Sequence, residues 1–110
     1  MYKNVLKYEK DFYETIKLNY VEILTGLIKE GFDPSADDNY AIKYASENGH
    51  LEVVKLLLQD PRVDPIDNNY AIQVASKNSH SEVVKLLLQD PRVKTSLPKE
   101  HLIKYQKQTK

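Results

Sequence analysis

Three histidines, His50, His80 and His101, are the side chains best suited here to ligate a metal or act as a general base. His50 and His80 stand 30 residues apart in matching settings, Asn48-Gly49-His50 and Asn78-Ser79-His80, and this recurrence predicts a structural turn. A zinc site needs further ligands at metal spacing, and the chain has no cysteine, so metal, disulfide and thiolate chemistry are not expected. Two acidic groups, Asp33, Asp37 and Asp38 and then Asp60, Asp64 and Asp67, lack the central Gly and terminal Glu of a calcium loop. Asp and Asn bond nearby backbone amides, so Asp37-Asp38-Asn39 and Asp67-Asn68-Asn69 read as turn and cap formers, exposed enough to touch a partner. Ser and Thr have no nucleophile motif, and neither a phosphate-binding loop nor a dinucleotide-binding glycine pattern occurs. No catalytic residue, cofactor or small-molecule substrate is therefore expected.

Eight tyrosines stand against two phenylalanines and no tryptophan. Tyr40, Tyr44 and Tyr70 fall at the first-helix end of the repeated segments, where a tyrosine either packs partly into the core with a wet hydroxyl or anchors an interface. Both readings stand for Tyr44. The formal charge is zero, with 16 basic and 16 acidic residues, yet residues 94–110 hold five Lys and one Glu while residues 1–93 are net acidic. Lys94, Lys99, Lys104, Lys107 and Lys110 lack Arg clusters or interleaved aromatics, which disfavours nucleic acid and suits a solvated end.

These residues need a scaffold, and 110 residues at 41% apolar suit one folded domain. No apolar run reaches the roughly 18 residues of a membrane helix, and MYKNVLKYEKDFYE lacks a secretory apolar core. An intracellular protein, cytoplasmic or nuclear and away from membranes, is expected. The decisive pattern is internal repetition: NYAIKYASENGHLEVVKLLLQDPRVDP from Asn39 returns as NYAIQVASKNSHSEVVKLLLQDPRV from Asn69, a period of 30. A weaker copy precedes both, with Glu22-Ile23-Leu24 and Leu27-Ile28 one period before Glu52-Val53-Val54 and Leu57-Leu58, and Phe12 one period before Ile42.

Within a unit, Ile42 and Ala45 share a helical face over Tyr40–Asn48, and Val53, Val54, Leu57 and Leu58 share one over Leu51–Gln59. Gly49 supplies the positive φ of a tight interhelix turn, and Asp60-Pro61 stops the second helix. Asn19 tolerates that backbone and Ser79 does so less well, so the third turn is expected to be the weaker. Small Ala41, Ala45 and Ser46, with Ala71, Ala75 and Ser76, let the first helices approach closely while leucine-rich second helices fill volume.

At these positions the chain resembles the ankyrin repeat family, whose TPLHxAAxxGHxEVVxxLL pattern is matched here by YAIKYASENGHLEVVKLLL. The resemblance is strong over residues 33–93 and weaker over about 10–32. The NYAI opening and DPRVDP connector are similar to variant arrays of large DNA viruses and amoebae; a viral source would place the protein in a host cell. It implies an all-α helix-turn-helix solenoid of about three repeats with short β-turn fingers. Tyr40-Ala41 and Tyr70-Ala71 replace the family's Thr-Pro start, and only 11 residues, Gln59 to Asn69, join Leu58 to Tyr70, so a tight loop is expected in place of a projecting finger.

The resemblance also implies Gly49, His50 and His80 as structural turn residues. It further implies a non-enzymatic protein-binding module, an adaptor or competitor. Its concave face would carry Asp37, Asn39, Lys43, Tyr44, Glu47 and Asn48, and then Asp67, Asn69, Gln73, Lys77 and Asn78. Those side chains are chiefly polar or charged, favouring a polar or basic protein surface. Residues 1–32 read as a degenerate capping repeat, with a helix over Asp11–Ile16 and another over Val21–Lys29 carrying polar Lys17, Thr25 and Lys29. Residues 33–63 and 64–93 are the two clear repeats. Residues 94–110 form a basic closing segment, with a helix opening at Ser96-Leu97-Pro98-Lys99-Glu100 and fraying from about Gln106. A monomer is expected. The alternatives are a binder of anionic surfaces or nucleic acid through the terminal lysines, and a degenerate array with little activity of its own.

Overall fold

A computed structural model describes residues 21–109. Its elements are α1 (Val21–Lys29), α2 (Ala36–Glu47), α3 (Leu51–Leu58), a 3-10 turn (Asp67–Asn69), α4 (Tyr70–Lys77), α5 (Ser81–Gln89), α6 (Pro91–Ser96) and α7 (Lys99–Gln108). No strand occurs among the described residues. The expected Asp11–Ile16 helix, Phe12, Lys17, the Asn19 turn and Lys110 lie outside them.

The helices stack in two layers. α2 packs on α3 and α4 on α5 as antiparallel pairs, α1, α3 and α5 form one row, and α2 and α4 form the other. The core follows the period: Leu24, Val54 and Val84 recur at 30-residue intervals, as do Leu27, Leu57 and Leu87, and all six are buried. Ala41/Ala71, Ile42/Ile72 and Ala45/Ala75 continue the columns in the first-helix layer. Fully burying one such leucine contributes about 1.5–3 kcal/mol, so each unit is stabilised chiefly by its neighbours. α2 and α4 meet along more of their length than α3 and α5 do. Alanines on the facing surfaces permit that approach, which makes the first-helix layer the inner one.

The regular part of α2 begins at Tyr40, as the periodicity predicts, because Asp37, Asp38 and Asn39 form a left-handed turn with φ of 54°, 58° and 62°. Such backbone costs an ordinary L-residue about 1–2 kcal/mol, and Asp and Asn are the types that tolerate it best. The third unit uses one such residue, Asn69 at φ 53°, after a 3-10 turn. Between the helices of each pair the backbone is left-handed again, at Gly49 (φ 71°) and at Ser79 (φ 62°).

One identical segment has two outcomes. Gln-Asp-Pro-Arg-Val closes α3 at 59–63 and recurs at 89–93. In both copies the aspartate Oδ1 accepts the arginine backbone N–H at 2.9 Å, Asp60 from Arg62 and Asp90 from Arg92. After Val63 comes Asp64-Pro65, and proline disfavours helical backbone at the residue before it, so the first copy stays a turn. After Val93 comes Lys94-Thr95, and the second copy continues as α6, a helix the sequence reading did not anticipate. Val63 and Val93 are both buried.

The closing segment packs on α5 through α6 and α7, burying Leu97 and Tyr105. Its last helix opens at Lys99 directly after Pro98, while Ser96 ends α6. It also runs past the expected fraying point: Gln108 accepts from the Ser76 hydroxyl, and its Nε2 donates to the Ser76 carbonyl at 2.8 Å.

Candidate protein-binding face

The inner layer is positioned by bonds that cross from one unit to the next. His80 precedes α5 and turns back onto the preceding unit, its Nε2 3.0 Å from the Glu47 carbonyl oxygen at the end of α2. A carbonyl only accepts, so Nε2 carries the proton. Asn78 Nδ2 donates to the same oxygen at 2.9 Å. One carbonyl left over at a helix end is thereby satisfied twice by the next unit.

A second stitch lies at the loops. Asn39 is buried, its Oδ1 accepts the Asp64 N–H at 2.8 Å, and its Nδ2 reaches Asp67 Oδ2 at 3.4 Å. Lys43 Nζ lies 3.5 Å from Asp67 Oδ2 and 5.7 Å from the centre of the Tyr70 ring. A third stitch is the arginine clamp: Arg92 chelates Asp90 and donates to the Val63 carbonyl at 2.6 Å and the Leu58 carbonyl at 3.0 Å, closing the end of α3. Arg62, one period earlier, chelates Asp60 and approaches Asp33 at 4.0 Å.

The candidate contact residues therefore divide by environment. Asp37, Glu47, Asn48, Gln73, Lys77 and Asn78 are exposed on the inner layer, and Lys43, Tyr44, Asp67 and Asn69 are half-buried. Asn48 Nδ2 donates to the Tyr44 carbonyl at 2.9 Å. Asn39, expected on the contact surface, instead gives its amide to the neighbouring loop, because a left-handed turn there needs a side chain to hold it. Tyr40 and Tyr44 form a tilted pair with ring centres 5.3 Å apart.

The acidic clusters behave as turn formers. Asp33 Oδ1 accepts the Ser35 hydroxyl at 2.7 Å and its N–H at 2.9 Å, and Asp64 Oδ1 accepts the Ile66 N–H at 3.0 Å. The Ser35 hydroxyl, then its N–H, hold the Asp33 carboxyl below the usual carboxylate range. Asp60 is lowered likewise by the Arg62 guanidinium. For Asp90, burial is the largest single influence and raises the pKa, but the bonds from Arg92 together outweigh it and the net direction is downward. No group of acidic and histidine side chains among the described residues is arranged to hold a metal ion. The arginine clamps escaped the sequence reading, although the repeated Asp-Pro-Arg was their signal.

On the other layer, Thr25, Ile28, Leu56 and Pro61 line a shallow groove, and Lys55, Leu58, Leu86 and Pro91 line its copy one period on. The stacked helix pairs define a solenoid repeat protein. The model for ankyrin repeats, in three copies, matches residues 12–96, and the chain belongs to that family. Its repeats are generally protein-interaction modules and typically non-enzymatic. No curated protein and no solved structure matches the chain. No helix among the described residues is long and apolar enough to cross a membrane.

Proposed function

We propose that this protein is a non-enzymatic interaction module, an adaptor or competitor, which engages a polar or basic protein surface through its first-helix layer. The observation that carries this reading is the exposure of Glu47, Gln73 and Lys77 on helices α2 and α4, whose closely packed backbones hold them in fixed relation. Rigid presentation lowers the ordering cost of binding, and charged positions of both signs select a complementary partner more than they add raw affinity. We place it as a monomer in the cytoplasm or nucleus.

The test is affinity capture with wild type and a Glu47→Lys, Gln73→Glu, Lys77→Glu variant shown by circular dichroism to remain folded. These three side chains make none of the inter-unit bonds described above, whereas Lys43 does and is left intact. A discrete protein held by wild type and released by the variant supports the assignment. Equal retention by both removes the inner face from the mechanism. Lys94, Lys99, Lys104 and Lys107 are all exposed on α6 and α7, which supports a second reading as a binder of anionic surfaces. Capture that collapses steeply with salt and survives the triple substitution would favour it.

A further inference from the structure

Tyr40 and Tyr70 occupy equivalent positions one period apart, each the first residue of a right-handed helix on the inner layer. They are 36% and 40% exposed, and with Ile103 they make up the exposed large apolar side chains among the described residues. We propose that this pair of rings receives an extended, cationic segment of a partner protein, with basic side chains three residues apart. The proposal rests on the reading of the first-helix layer as the binding face and names the chemistry of what it binds.

Spacing argues for the shape of the segment. Packed neighbouring helices lie about 8–10 Å apart. An extended chain in the polyproline-II form advances about 3.1 Å per residue with three residues per turn, so positions i and i+3 share one face about 9 Å apart and meet equivalent residues on α2 and α4. A helical segment, at about 1.5 Å per residue, would need six or seven residues for the same step.

Charge argues for its sign. Asp37, Asp38 and Asp64 are exposed at this edge of the layer. Its lysine, Lys43, is already paired with Asp67. An acidic segment would be repelled, and a purely apolar one would strip water from carboxylates without replacing it. The protein carries a small version of the complex in itself: the Lys43 ammonium lies within reach of both the Tyr70 ring and the Asp67 carboxylate. Tyrosine faces attract ammonium and guanidinium groups, and guanidinium also stacks on them. Lys43 is therefore an internal competitor for the incoming cation at Tyr70.

The experiment is fluorescence anisotropy with the full chain and a labelled nine-residue probe, Arg-Pro-Pro repeated three times, at low salt. Two control probes carry Glu in place of Arg, or the three Arg clustered at one end. The expected result is preference for the evenly spaced Arg probe, a loss of tenfold or more in the folded Tyr40→Ala, Tyr70→Ala variant, and a smaller loss in Asp38→Asn. Lys43→Met is expected to raise affinity several-fold, an outcome that loss of a merely structural lysine would not give. Equal binding of the Glu probe or the clustered probe overturns the proposal, as does an unchanged affinity in the tyrosine variant. If the captured natural partner is released by the Glu47, Gln73 and Lys77 substitutions but retained by the tyrosine variant, the inner-face reading survives and this proposal fails.

Discussion

The imidazole of His80 lies so close over Gly49 that a Cβ at position 49 would stand 2.6 Å from Nδ1 and 2.7 Å from Cε1. The glycine is required twice there, by its φ of 71° and by the ring that the next unit lays on it. Gly49→Ala should cost about 2–3 kcal/mol, combining left-handed strain with displacement of His80. Urea unfolding measures it, and a double-mutant cycle with His80→Ala separates the two causes, since only the steric part vanishes with the ring. A Gly49→Ala variant as stable as wild type would show that the ring does not pack in this way.

Ser79 holds the equivalent left-handed position at φ 62°, with an exposed side chain. Ser79→Gly relieves that strain and gives back part of the gain as unfolded-chain entropy, for a net stabilisation of about 0.5–1 kcal/mol. A thermal midpoint that rises records it, and one that falls would contradict the strain.

Leu57 is wholly buried between its equivalents Leu27 and Leu87. Leu57→Ala should cost about 2–5 kcal/mol through lost burial and a residual cavity. An unchanged urea midpoint would place Leu57 outside the core.

Arg92 joins two units through bonds that lysine's single ammonium cannot reproduce. Arg92→Lys and Arg92→Ala should each lose about 1–3 kcal/mol, with the lysine variant keeping little of the difference. Asp60 and Asp90 have folded-state pKa values below their unfolded ones. Their stabilisation is therefore complete above the ordinary carboxylate value of about 3.9 and disappears as pH falls through the lower folded-state values. Stability measured from pH 5 down to pH 2 should decline less steeply in Arg92→Ala than in wild type, because the Asp90 carboxylate is then held down by one partner fewer. Parallel curves would mean the clamp does not lower Asp90.

Legibility in the sequence followed the range of the interaction concerned. Ile42, Val53, Val54 and Leu57 gave the helix pair because burial imposes a 3.6-residue period that is visible locally. Gly49 marked the turn because tolerance of positive φ is a property of the residue itself. Asn39 could not be assigned from its neighbourhood, since its bonds reach Asp64 and Asp67, some 25 residues on. Likewise Gln59–Val63 and Gln89–Val93 are identical, and the residues that follow them, Asp64-Pro65 in one copy and Lys94-Thr95 in the other, separate a turn from α6. For the candidate face, exposure of Glu47, Gln73 and Lys77 agrees with helical phase, whereas the internal engagement of Asn39 and Lys43 required the neighbouring unit in place.

The dependence of α6 on the two residues after Val93 amounts to a punctuation rule. Asp-Pro after the shared Gln-Asp-Pro-Arg-Val means that another unit comes next, and Lys-Thr means stop. A tandem duplication of residues 64–93, inserted after Val93, should therefore convert the old α6 into a connecting turn and re-form a terminal helix at the new end. The array would lengthen by one helix pair and gain one inter-unit interface, with a thermal midpoint above that of the parent chain. On that view the 30-residue segment is a unit of growth as well as of structure, and the length of the array is open to change by duplication without redesign of its interior.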